Sequence, residues 1–195
     1  MTGNTPMNAQ VNSPLPESPS AQRLRELCDR QDILDCIHRY CRGVDRFDRD
    51  MIISVYHSDA IDDHGLFVGG PEQFADWAIG YHRQFQHATH HIVTNHCCEL
   101  DGDVAHTETY WLFSGINMEG PSTVHFGRYI DRFERRLGRW AIAARACIIE
   151  WHGSLSVLPA VPPDVLASYA AVGESRRDRQ DKSYQRPLRV RQSVD

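Results

Sequence analysis

Residues 87–116 read HATHHIVTNHCCELDGDVAHTETYWLFSGI. Alternating apolar and polar residues run along both sides of Asp101-Gly102, a dipeptide suited to a tight hairpin, so the stretch predicts two antiparallel strands. The pattern continues through TVHFGRYIDRFERR, Leu137-Gly138 and RWAIAARACIIEW. A meander of strands therefore fills the second half of the chain, starting near Thr89.

The first half has a different period. Leu24, Leu27, Ile33, Leu34, Ile37 and Tyr40 recur every three or four residues, which predicts a helix with Ser20 as N-cap and Gly43 at its end. A short helix around Asp48–Tyr56 follows, capped by Asp48, with Met51, Ile52 and Val55 as its apolar side. AIDDHGLFVGG suggests a strand, turn and strand over Ala60–Val68. PEQFADWAIGYHRQF opens with Pro71, tolerated in a first helical turn, and spaces Phe74, Trp77, Ala78, Tyr81 and Phe85 for one helical face. Helices first and a meander afterwards imply an α+β fold, a curved antiparallel sheet wrapped around helices.

Residues 1–19 are rich in Pro, Ser and Asn and read as a disordered segment. Residues 20–156 form the folded domain. Residues 157–195 form a C-terminal extension with a helix over Val165–Val172 and a charged run that packs on the domain, packs on a neighbouring subunit, or stays mobile.

A net charge of −5 argues against a nucleic-acid surface, which needs a basic face. No apolar run approaches the ~20 residues of a membrane span, and the N-terminus lacks the basic and apolar regions of a secretory signal, so a cytoplasmic location is expected. The six cysteines include no CxxC and read as reduced, small apolar residues rather than a disulfide framework.

Four histidines in residues 87–96 raise three readings: a metal site, a catalytic base, or a polar strand. In a regular strand His91, Val93, Asn95 and Cys97 share one face, while His90, Ile92, Thr94 and His96 share the other. His90 and His96 would stand roughly 20 Å apart along the strand. Zinc ligands lie ~2 Å from the ion, so the pair cannot serve one metal, and Asp62, Asp63 and His64 add no recognised spacing. No metal is expected. An acid such as Asp45, just past the first helix, is ordinarily a solvated residue or a cap. Turned inward, it would accept the Nδ1 proton of His91 and leave Nε2 free as a base. Arg145 sits among Ala141, Ala143, Cys147 and Ile149 in a predicted strand. It either snorkels outward or binds developing negative charge. Of Tyr110, Trp111 and Phe113, at least one should line any cavity. Phosphate loops, dinucleotide fingerprints and nucleophile elbows are absent, and no cofactor is expected.

GVD at residues 43–45, DDHG at 62–65, THHIVTN at 89–95 and the closing GRYIDRFERRLGRWAIAAR resemble the SnoaL-like branch of the nuclear transport factor 2 superfamily. The resemblance covers about residues 20–153. That family includes scytalone dehydratases, hexachlorocyclohexane dehydrochlorinases and lignin-derived diarylpropane formaldehyde-lyases. It implies a cone-shaped barrel with a deep apolar cavity, dimeric or trimeric assembly and cofactor-free chemistry on a bulky, hydrophobic or aromatic substrate. Carried onto this chain, its aspartate–histidine dyad falls on Asp45 and His91, and its late arginine on Arg145. Tyr40 and His64 match pocket positions, and Asn95, Tyr110 and Trp111 complete the expected substrate contacts. Bile-acid dehydratase relatives carry a second acid in the middle strand, where YWLFSG here offers only Ser114. The same shell also hosts isomerases, epoxide hydrolases and non-catalytic binding modules, so elimination and plain ligand binding both stand as readings.

Overall fold

A computed structural model describes residues 18–155, 161–173 and 175–191. Its elements are α1 (Pro19–Asp45), α2 (Arg49–Ser54), β1 (Tyr56–Asp63), β2 (Val68–Gly69), α3 (Pro71–Phe85), β3 (Gln86–Asp101), β4 (Val104–Asn117), β5 (Ser122–Arg136), β6 (Arg139–Leu155) and α4 (Pro163–Val172). The sheet runs β2-β1-β6-β5-β4-β3. All neighbours are antiparallel except β1, which lies parallel to β6. The fold is α+β, with a curved sheet embracing α1 and α3. Most of the expected disordered segment lies outside the described residues.

The long first helix starts and ends elsewhere than the sequence suggests. Ser18 is the N-cap, its hydroxyl accepting from the Ala21 amide at 3.3 Å. Pro19 takes the first helical position, where its missing amide costs nothing, so the cap stands two residues before the expected Ser20. Gly43 does not end the helix. A Cβ there would meet Ile52 Cγ1 at 2.9 Å, so the glycine lets α2 pack close while α1 continues to Asp45. Leu24 and Leu27 are exposed, since the first turns project beyond the sheet. The inward stripe is Ile33, Ile37, Tyr40 and Val44, at helical spacing. It packs with Phe74, Ala75 and Ala78 of α3 against Trp111, Phe133, Trp140 and Ile142 of the sheet. Each fully buried aliphatic side chain contributes about 1.5–3 kcal/mol.

Two irregularities in β3 set which side chains face that core. Gln86 and Ala88 pair with the consecutive Asn117 and Ile116, and Val93 and His96 pair with Trp111 and Thr109. Each step inserts one extra residue into β3, and each inverts the alternation. His91 and Val93 turn inward before the second bulge; His96 and Cys98 do so after it. Asn95 and Cys97 are therefore exposed, contrary to simple parity. A similar irregularity opposite Arg132 and Phe133 separates Ala141 and Ala143 from the face that carries Arg145. All six cysteines are free, but only Cys36 and Cys41 are fully buried, and Cys28 and Cys97 face solvent.

The C-terminal extension returns to the domain. Arg179 and Tyr184 both reach the Asp48 carboxylate, at 3.0 and 2.9 Å, and Arg177 donates to the carbonyls of His82 and Gln86. The preceding α4 has no buried residue. No helix among the described residues is long and apolar enough to cross a membrane.

At the β5–β6 hairpin Leu137 and Gly138 have φ of 52° and 77°, the paired left-handed conformation of a type I′ turn. A left-handed conformation costs an ordinary residue about 1–2 kcal/mol, and Asn tolerates it better. Leu137 is fully exposed and has no packing to lose. Leu137→Asn is expected to raise unfolding free energy by about 0.5–1 kcal/mol, read from the urea midpoint at unchanged slope. An unchanged or lowered midpoint would show the turn is unstrained.

Candidate active site

Between α1, α3 and the concave face of the sheet lies a cavity of about 540 Å³. Trp77, Trp111, Phe113, Tyr129 and Ile149 give it apolar walls, and His64, His82, His91 and His125 supply the polar groups. This pairing of aromatic surface with a few polar side chains suits a drug-sized organic ligand.

Asp45 is the last residue of α1, so the two helical residues beyond Gly43 are what carry its carboxylate to β3. Its Oδ1 lies 2.7 Å from His91 Nδ1, and its Oδ2 accepts the His91 backbone amide at 2.9 Å. One carboxylate thus grips both the ring and the main chain of the same residue. Burial alone would raise the Asp45 carboxyl, but the hydrogen bonds and charge of His91 more than offset this and hold it below the usual carboxylate range. An ionised carboxylate can only accept, so Nδ1 carries the proton and Nε2 is left for other partners. The ring is further fixed against Phe113, with centroids 4.9 Å apart.

His82 stands edge-on to His91 at 5.6 Å and hydrogen-bonds Gln86 Oε1 through Nδ1 at 2.8 Å. Burial first, and then the charge of His91, push it down to about 4, so it is neutral near pH 7. The sequence reading overlooked it. It lies four residues after Ala78, on the stripe already assigned inward, and that spacing was the available signal. His125 was missed as well, although alternation along β5 places it with Tyr129.

A second aspartate–histidine contact occurs at β1. His64 Nδ1 lies 2.6 Å from Asp62 Oδ1, and Tyr56 donates its hydroxyl to Asp62 Oδ2 at 2.5 Å. The Tyr40 hydroxyl lies 3.5 Å from His64 Nε2. Burial pushes Tyr40 well above the usual phenol range, so it remains a protonated donor.

Three sequence assignments change. Asn95 is outside, because of the bulge. Tyr110 is also on the outer face, beneath Arg128 at 5.9 Å, because adjacent strand residues point oppositely and Trp111 takes the cavity side. Arg145 neither snorkels outward nor lines the cavity. Its side chain is fully buried, and Nε and Nη2 each meet Asp131 at 2.7 Å. The rings of Tyr40 and Tyr129 lie 4.2 and 4.1 Å from its guanidinium. It supports cavity residues from behind. Asp48, the other acid near Asp45, caps α2 through the Met51 amide at 3.3 Å. Among the described residues, no group of three or more His, Cys, Asp or Glu side chains is arranged to hold a metal ion.

Residues 25–146 match the family model described as a SnoaL-like domain. Among solved structures, the chain is similar to a hexachlorocyclohexane dehydrochlorinase of LinA type 3 from Novosphingobium barchaimii, at 26% identity and TM-score 0.65, covering 72% of this chain and 99% of that one. A type 2 dehydrochlorinase gives 26% identity and TM-score 0.66, covering 72% and 98%. A putative scytalone dehydratase from Novosphingobium aromaticivorans shares the fold at 18% identity and TM-score 0.61, covering 71% and 95%. No curated protein matches.

His82 also gives the site an acid sensitivity. It is neutral when folded, whereas an unfolded chain protonates it below its ordinary value of 6.5. Stability therefore falls as pH drops from there towards about 4, by up to about 3 kcal/mol from this group. The His82→Gln variant is expected to lose correspondingly less stability than wild type over that window in urea titrations. Parallel losses in the two proteins would remove His82 from the account.

Proposed function

The chain belongs to the SnoaL-like domain family, and from that premise we propose that it is a cofactor-independent lyase. His91, oriented by Asp45, removes a proton from carbon on a bulky, mostly aromatic substrate, and a group departs from the adjacent carbon. The observation that carries this reading is the double hold of Asp45 on His91, which fixes the tautomer and leaves Nε2 as the basic nitrogen of a cavity-lining ring. Departure of water and of halide share this first step. In formaldehyde-releasing cleavage of an aryl diol the same base takes the hydroxymethyl O–H proton instead, and the C–C bond that breaks supplies the electron pair expelling the neighbouring hydroxyl as water. The similarity to dehydrochlorinases supports elimination, and the aromatic walls support an aromatic substrate.

The reading is tested by incubating the protein with aryl diols, β-hydroxy aryl ketones, hydroxysteroids and halogenated rings, with mass spectrometry following loss of water, formaldehyde or acid. His91→Ala and Asp45→Asn should each lower turnover by about 100- to 10,000-fold while the circular dichroism spectrum is retained. Full activity in either variant would sink the dyad, and tight binding without turnover would make the cavity a binding module. Oxygen from labelled water in the product would mark epoxide hydrolysis instead.

Self-association as a homodimer or homotrimer is part of the same proposal. Ile92, Leu112, Phe126 and Trp151 form a row of cross-strand partners on the outer face of the sheet. Ile92, Phe126 and Trp151 are 42–50% exposed. Such a continuous apolar row suits burial against a second copy. Sedimentation should show an oligomer that Trp151→Glu weakens at least about tenfold, which corresponds to ~1.4 kcal/mol. A monomeric wild type would refute it.

A further inference from the structure

We propose that Asp62 and His64 form a second acid–base pair in the same cavity, one that protonates an oxygen leaving group, so that the substrate loses water rather than halide. This rests on the elimination reading above and specifies its leaving group.

His64 resembles His91 in how it is held. A buried carboxylate, Asp62, takes its Nδ1, and the other carboxylate oxygen is occupied by the Tyr56 hydroxyl. The ring is packed by Phe74 at 5.0 Å and Tyr129 at 6.2 Å, so its direction is set by neighbours on α3 and β5. Nε2 has only the Tyr40 hydroxyl at 3.5 Å, beyond the usual hydrogen-bond range, and can turn to a substrate oxygen. Both His64 and Tyr40 line the cavity. The two pairs also approach it from different parts of the sheet. His91 lies on β3 at one edge; His64 follows β1, four strands away in the order β1-β6-β5-β4-β3. A substrate between them meets a base on one side and a proton donor on the other.

A chloride ion leaves carbon without help, and one histidine base then suffices. Hydroxide is the conjugate base of water, whose pKa is about 15.7, and its departure at neutral pH needs a proton. In the proposed step His64 enters as the imidazolium, with Nδ1–H held by the Asp62 carboxylate and Nε2–H facing the leaving oxygen, and His91 enters neutral. His91 Nε2 takes the proton of the C–H bond, and that electron pair forms the C=C bond. The C–O bond breaks, and the departing oxygen takes the proton of His64 Nε2 to leave as water. His91 then returns a proton to solvent, and His64 takes one back. Asp62 remains the acceptor at Nδ1 throughout.

The test uses two probes that yield the same chalcone, β-hydroxydihydrochalcone and β-chlorodihydrochalcone, followed by chalcone absorbance with background subtracted. His64→Gln and Asp62→Asn are expected to lower kcat/KM for the hydroxy compound by about 100-fold or more, and for the chloro compound by less than about threefold. Retained chloride elimination shows that the variants are folded. His91→Ala should slow both compounds. Equal slowing of both by His64→Gln, no effect on either, or wild-type turnover of the chloro compound alone would overturn this proposal and leave the His91 reading standing. Undiminished rates in His91→Ala, or wild-type turnover of neither compound, would overturn the elimination reading and this proposal with it.

Discussion

The cavity rests on a charge buried beneath it. Arg145 on β6 has Asp62 of β1 and Asp131 of β5 as its cross-strand partners, so three ionisable residues lie in one row of the sheet. The row is dry: Asp62, Asp131 and Arg145 are each at most 3% exposed. Removing such charges from water costs several kcal/mol per ion unless geometry repays it. Here the two-pronged contact of Arg145 with Asp131 offsets part of that cost, and the rings of Tyr40 and Tyr129, 4.2 and 4.1 Å from the guanidinium, add attraction. The two tyrosines are cavity walls, and Asp62 orients His64. A single buried cation therefore holds groups from α1 and β5 in one frame, with Asp62 of β1 beside it in the sheet.

Much of this was legible in the residues themselves. Periodicity located the three main helices, and the two glycine turns located two of the three hairpins in the meander. Resemblance of the GVD and THHIVTN segments to the family implied Asp45 and His91 as a pair, where the residues alone left Asp45 open between a cap and an inward acid. What could not be read was anything set by strand pairing at a distance. A bulge in β3 depends on how β4 lies against it, so Asn95 was assigned inward by an alternation that the second bulge reverses. Arg145 was open between two roles, because its partner Asp131 sits on another strand and no local pattern connects them. The parallel pairing of β1 with β6 is equally non-local. Tyr110 is a different case: strand alternation alone keeps Tyr110 and Trp111 from sharing one wall.

The histidines are differentiated by surroundings rather than by spacing. His82 and His91 are neighbours in space, yet burial and His91 keep His82 neutral, while a carboxylate faces the other ring. His96, also in the dense stretch, is turned toward Thr109, with Nδ1 at 2.8 Å from its hydroxyl. The same side chain is gripped by a carboxylate, kept neutral in the cavity wall or hydrogen-bonded to a threonine within one element and the helix that precedes it.

The lone parallel pairing in the sheet has a consequence for the order in which the molecule assembles. Strands β3 to β6 join through short connections and can zip from hairpin to hairpin, whereas β1 finds its place only when β6, far along the chain, is already formed. Contacts between distant segments carry the larger loop-closure cost and form slowly. The His91 wall and the His64 wall thus belong to different stages of folding. A chain caught between them would hold a finished meander and an unfinished pocket, with the Arg145 charge still awaiting its second flank.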